Sequence, residues 1–212
     1  GGSLPHVGPN PGAGGGGPYW CGFFVQAPWR TYVKYNDPRL IEKYYSQMKE
    51  WFKYVGKYTV DGLLKRWPDT KYRDWYLGDW LAPMGVDAGN QASVDLVSNC
   101  FISECLSTMY KTALTLGNKE EAEEFAIRKE KLNKLIHQTF YRADEGIYST
   151  GSQLDMCYPM LVGVVPDSLY NKVKENVVAM TEEKYKGHIA VGLVGVPILT
   201  EWAVRNLSLI HI

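Results

Sequence analysis

The sequence predicts an all-α fold built from helical hairpins, in which buried and amphipathic helices alternate. Three observations predict it. Apolar residues recur at helical spacing while strand signals stay weak throughout. The helical segments are of two kinds, one sparsely charged on every side and one highly charged with a single apolar stripe. The connectors also alternate, a short link after each sparsely charged segment and a long or glycine-rich one after each charged segment.

The first sparsely charged helix is expected over residues 23–35. A charged helix follows over residues 38–55, where Asp37 can cap the start, Pro38 suits the first turn and Gly56 suits the exit. Residues 93–116 carry only Asp95, Glu104 and Lys111 as charges, so this helix is expected to be buried on most sides. Gly117 ends it. Asn118 then caps a charged helix from Lys119 to about Phe140, with a stripe of Ala122, Phe125, Ala126, Leu132, Ile136 and Phe140. Residues 152–163 carry one charge, Asp155, and Pro159 interrupts their regularity. Residues 167–183 are charged and amphipathic, and residues 193–204 carry one charge, Glu201. Seven helices stacked as hairpins make an open solenoid or a closed toroid with inner and outer rings, and no fixed repeat period favours a common helical-repeat array.

Composition narrows the partners. Lys and Arg number 23 and so do Asp and Glu, so no net field selects nucleic acid or an anionic membrane. No apolar run approaches the roughly 18 residues needed to span a bilayer. Cys21, Cys100, Cys105 and Cys157 have neither zinc-ligand spacing nor a disulfide pattern, and they read as buried free thiols. The 15 Tyr, 7 Trp and 6 Phe suit either a packed core or a sugar cleft, where flat rings cover the apolar face of a pyranose.

The long connectors hold the candidate functional residues. The glycine cluster of residues 9–18 lacks the Lys-Ser/Thr of a phosphate loop and either presents Tyr19 and Trp20 or serves as a flexible linker. The connector over residues 57–92 contains Trp67, Trp75, Tyr76 and Trp80, which is too aromatic for a disordered segment. Asp79 beside Trp80 offers a carboxylate acceptor and a ring face for a sugar; alternatively Asp79 is a local backbone acceptor in a turn. His188 either donates to a sugar hydroxyl or is a surface histidine.

Pro5-His6-Val7-Gly8-Pro9, then Trp20, then Pro28-Trp29-Arg30-Thr31-Tyr32 resemble a region of the bacterial α-L-rhamnosidases of glycoside hydrolase family 78. Gly78-Asp79-Trp80-Leu81 with Gly85-Val86-Asp87 resembles that family's Gly-Asp-Trp loop. Gly187-His188, Gly192-Leu193-Val194-Gly195-Val196-Pro197 and Leu199-Thr200-Glu201 resemble its late inner-helix motif. The ordered set runs over residues 3–206. Where many relatives carry Asp or Ser just after the tryptophan matching Trp20, this chain has Cys21 and Gly22.

The resemblance implies a partial (α/α)6 toroid of the six-hairpin glycosidase type, with about seven of the twelve helices in residues 1–206. It implies a parent enzyme that hydrolyses terminal α-L-rhamnosides with inversion, binds an oligosaccharide or glycoside, and needs neither metal nor cofactor. Such an enzyme is expected in the periplasm or outside the cell. In the family the general acid precedes the position of Gly1 and the general base follows that of Asn206, so no catalytic residue is assigned here. Asp79, Trp80, Trp20 and His188 are the implied substrate-binding residues. Residues 207–212 resemble the in-frame translation of a sequencing adapter and are expected to be a non-native scar on a fragment of metagenomic origin. The alternatives are another six-hairpin glycosidase or lyase, and a non-catalytic helical-repeat scaffold that binds a peptide along its concave face.

Overall fold

A computed structural model describes residues 16–67, 76–83 and 90–206. The motif residues 5–9 and 85–87, Trp75 and the proposed scar at 207–212 lie outside the described residues. Eight helices occur among the described residues: α1 (Pro18–Cys21), α2 (Phe23–Tyr35), α3 (Arg39–Gly56), α4 (Gln91–Thr115), α5 (Lys119–Phe140), α6 (Gln153–Val162), α7 (Asp167–Glu183) and α8 (Gly195–Asn206). Among the described residues no helix is long and apolar enough to cross a membrane.

The helix ends follow from local chemistry. Asn36 adopts the left-handed conformation that stops α2. Asp37 accepts the Arg39 backbone N–H at 3.1 Å from just outside α3; the N-cap position falls on Pro38, one residue later than expected, and no side chain caps it. Gly117 closes α4: its N–H donates to Leu114 and the Asn118 N–H reaches back to Ala113. Gly163 closes α6 the same way, through Met160 and Pro159. Ser152 caps α6 by accepting the Asp155 N–H, and α6 runs through Pro159 without breaking.

Two hairpins absent from the sequence reading lie in the long connectors. β1 (Thr59–Val60) pairs antiparallel with β2 (Leu63–Leu64), and β3 (Tyr141–Arg142) pairs with β4 (Ile147–Tyr148). The β1–β2 turn places Asp61 and Gly62 at φ 51° and 82°, which an Asp-Gly pair accommodates.

The chain forms two compact units. The first comprises Gly1–Tyr76 and Phe101–Leu132, and its core is aromatic. Trp51 is almost fully buried, edge-on to Phe52 at 5.3 Å and to Phe101 at 6.5 Å. Outside that core, Lys49 and the Tyr45 hydroxyl both bond the Glu121 carboxylate, tying α3 to α5. Trp67 and Tyr76 stack edge-on at 5.2 Å and are buried. Two of the four connector aromatics singled out in the sequence thus serve packing.

The second unit comprises Leu77–Cys100 and Asn133–Ile212. Here α6 is buried along nearly its whole length, from Gln153 through Val162, whereas α7 buries only Val173 and Val177. That contrast is the inner and outer alternation read from charge. The first and last sparsely charged helices are buried on one side only. Phe23, Val33 and Tyr35 of α2 and Val196 and Val204 of α8 are exposed.

Candidate functional site

In the second unit the segment from Leu77 to Pro83 lies against the start of α8. Gly78 lets the same segment pass close to the start of α4, because a Cβ there would meet the Val94 Cα at 3.1 Å. Asp79 is buried at 7% exposure. Its Oδ1 accepts the backbone N–H of Trp80 at 2.9 Å, of Val194 at 3.0 Å and of Gly195 at 3.2 Å. Its Oδ2 accepts the Gly192 N–H at 2.6 Å. The Trp80 carbonyl accepts the Leu193 N–H at 2.8 Å. Four successive amides, residues 192–195, are therefore satisfied by two residues more than a hundred positions upstream.

These amides lead into α8, whose first N–H groups have no partner within the helix and where the backbone dipole favours a negative group. The geometry requires glycine twice. A Cβ at Gly192 would stand 1.9 Å from the Trp80 carbonyl oxygen, and one at Gly195 would stand 2.9 Å from Asp79 Oδ2. The Gly192 to Gly195 motif, matched in the sequence as a late inner-helix signature, is thus half of a clamp whose other half is Asp79-Trp80. Sequence reasoning expected Asp79 to accept from sugar hydroxyls or from its own turn. The structure gives the carboxylate one local partner and three distant backbone partners.

Trp80 is half-buried and Leu81, next to it, is 68% exposed. Leu81 sits at φ 62°, the left-handed region that residues with a Cβ rarely occupy. His188 is exposed, with its backbone N–H on the Tyr185 carbonyl. The connector that carries it is held by Gln153, a buried residue that sequence reasoning missed. Gln153 Nε2 donates to the His188 carbonyl at 3.2 Å and to Thr181 Oγ1 at 2.9 Å, while its Oε1 accepts the Ala190 N–H at 2.8 Å. A polar residue on a sparsely charged helix was the available signal.

Asp155 was noted in the sequence only as the single charge of its helix. It is fully buried, and it accepts from Ser93 Oγ at 2.6 Å, Thr150 Oγ1 at 2.5 Å and the Thr150 N–H at 3.1 Å. Burial pushes its carboxyl above the usual range, and the hydroxyl and amide donors oppose that push. Asp79 and Asp155 are the buried carboxylates among the described residues, and both take protein donors. Glu201 is exposed and paired with Arg205.

Trp20 belongs to the first unit, in the single turn α1, and is half-buried. Its neighbours explain the local departure noted in the sequence. Cys21 is buried, and burial pushes its thiol up to about 12. Gly22 lies against Phe101, where a Cβ would meet the ring at 2.3 Å. Tyr19 packs on that same ring at 5.0 Å.

The model of the bacterial α-L-rhamnosidase six-hairpin glycosidase domain matches residues 1–208. The chain belongs to that family. An α-L-rhamnosidase of Alteromonas sp. (strain LOR) is 24% identical over 181 residues, covering 82% of this chain and 19% of its own length. One from Streptomyces avermitilis is 26% identical over 178 residues, covering 84% of this chain and 16% of its own. The chain therefore spans less than a fifth of these relatives. Among solved structures, an α-L-rhamnosidase from Aspergillus terreus superposes with a TM-score of 0.80 at 22% identity, over 96% of this chain and 23% of that one. The Streptomyces avermitilis α-L-rhamnosidase complexed with L-rhamnose superposes at 0.78 and 20% identity, over 97% of this chain and 18% of that one. The expected six-hairpin glycosidase fold is thereby established for this all-α chain.

Proposed function

We propose that this domain supplies part of the sugar-binding wall of an α-L-rhamnosidase, within a longer protein that hydrolyses terminal α-L-rhamnosides with inversion. The observation that carries the reading is the family match over residues 1–208, joined to a half-buried tryptophan, Trp80, on a firmly tethered connector. Trp80 in the second unit and Trp20 in the first each offer a large apolar ring face of the kind that covers the apolar side and methyl group of a 6-deoxy sugar. His188 donates to a hydroxyl. Inversion needs one carboxylic acid to protonate the leaving oxygen and a second carboxylate to activate water, about 6.5–9.5 Å apart. Both are supplied from outside residues 1–206, which agrees with the commitment of Asp79 and Asp155 to internal donors.

Calorimetric titration of the intact protein with L-rhamnose tests the wall. Trp80→Ala and Trp20→Ala should each weaken binding by roughly tenfold, the order of one aromatic contact with its buried area. Unchanged affinity in both variants would remove these residues from the site.

A further inference from the structure

Asp79 has the burial and the partners of a structural anchor, yet it adjoins the tryptophan assigned to the sugar. Its carboxylate bonds the Trp80 N–H and, on the opposite side of the seam, the amides of Gly192, Val194 and Gly195. Trp80 closes the seam through its own carbonyl to Leu193. The backbone of Trp80 is thus held at both its N–H and its C=O. The residue that follows, Leu81, keeps a left-handed conformation while its side chain is exposed. Such a conformation persists only where the surrounding structure dictates it, and here the tethered neighbour supplies that constraint. The glycine at 192 lets the two backbones close to a distance that a side chain would block, and the one at 195 leaves room for the Asp79 carboxylate.

We propose that Asp79 is a positioning residue: its buried carboxylate locks the Trp80 backbone onto residues 192–195 and so aims the Trp80 ring, without itself touching the sugar. The assignment rests on the reading of Trp80 as part of the sugar wall. It divides the labour of the Gly-Asp-Trp sequence, with glycine for close approach, aspartate for the clamp and tryptophan for the ligand. Gln153, which bonds the His188 carbonyl and the Ala190 N–H, holds the preceding stretch of the same connector.

The test uses the intact protein labelled with 5-fluorotryptophan, with the Trp80 fluorine signal assigned by Trp80→Phe. Asp79→Asn keeps an acceptor for Trp80, Val194 and Gly195 but turns an NH2 group toward the Gly192 N–H, which opens the seam from one side. Gly192→Ala opens it from the other, against the Trp80 carbonyl. Both should move or broaden the Trp80 signal, and both should weaken L-rhamnose binding by between about tenfold and a hundredfold. All monodeoxy analogues of L-rhamnose should lose affinity by the same factor in Asp79→Asn. An unmoved Trp80 signal in Asp79→Asn would overturn the proposal. So would an analogue whose affinity Asp79→Asn leaves unchanged, since that identifies a hydroxyl bonded directly by Asp79. If Asp79→Asn fails to fold, hydrogen exchange in the unsubstituted protein decides: slow exchange at Gly192, Val194 and Gly195 is expected, and exchange at open-loop rates refutes the clamp. The fluorine signal needs no ligand. A moved Trp80 signal with no rhamnose binding to the unsubstituted protein would sink the sugar reading and leave the clamp standing.

Discussion

Asp155→Asn and Asp155→Val, compared across pH, should separate the cost of burying a charge from the value of the hydrogen bonds it accepts. In Asp155→Asn the new amide can turn its oxygen to the Thr150 N–H and hydroxyl and its NH2 to Ser93 Oγ, which can rotate to accept. Asp155→Val leaves three donors, the buried Ser93 hydroxyl and the half-buried Thr150 hydroxyl and N–H, without that partner. Stranding them costs about 2–4 kcal/mol, taking the amide at full cost and letting the hydroxyls turn elsewhere. For a domain of this size that lowers Tm by roughly 4–16 °C. The pH dependence has its own sign. Because the folded carboxyl is raised above its unfolded value, the folded state binds the proton more readily. The contribution of Asp155 is therefore full below the unfolded value and lost as pH rises through the folded one. The amide of Asp155→Asn cannot ionise, so the stability of that variant relative to the unsubstituted domain should improve from about pH 4 to about pH 7. Scanning calorimetry of this domain's transition in the intact protein measures both effects. A loss in Asp155→Asn as large as in Asp155→Val, or a relative stability flat with pH, would refute this account.

Further outcomes follow from other parts of the fold. His137 is pressed toward its neutral form by burial, with Nδ1 2.7 Å from the Tyr148 hydroxyl and its ring stacked on Tyr141. Its contribution is full above the ordinary histidine value and lost as pH falls toward the folded one, so His137→Gln should flatten the stability profile below about pH 6.5. Gln153→Leu strands the buried Ala190 N–H and should destabilise by about 1–3 kcal/mol in urea unfolding, with faster exchange at residues 188–191. The exposed apolar faces of α2 and α8 should make residues 16–206 associate when expressed alone. Val196→Glu with Val204→Lys should shift that material toward monomer in light scattering, and a monodisperse unsubstituted sample would contradict the reading.

The helical layout was legible because charge density alone sorts α6 from α7, and because Asn36, Gly117 and Gly163 stop helices by local conformation. The boundaries of α2, α5 and α7 follow from such signals. The sequence pattern starts α8 two residues early, at Leu193 rather than Gly195. The amides of Leu193 and Val194 are spent on Trp80 and Asp79, a tertiary contact with no local trace. The hairpins were missed although Asp61-Gly62 is a turn signal, because two-residue strands leave no alternation to read. At the site, Asp79 and Trp80 stood out as a pair, but the division of labour between them depends on backbone amides 113 to 116 positions away. Gln153 carried only a weak signal, a polar residue on a sparsely charged helix, and its role shows only once its partners are known.

The most direct test of the central reading is proton NMR of an aryl α-L-rhamnoside during hydrolysis by the intact protein, with residues 1–206 alone as the paired sample. The intact protein should release β-L-rhamnose first, as expected of water attacking opposite the leaving group, and residues 1–206 should show no turnover. Release of α-L-rhamnose first would mean retention and a covalent intermediate. Turnover by residues 1–206 would place a catalytic pair inside this chain and contradict the assignment of these residues to the sugar wall alone.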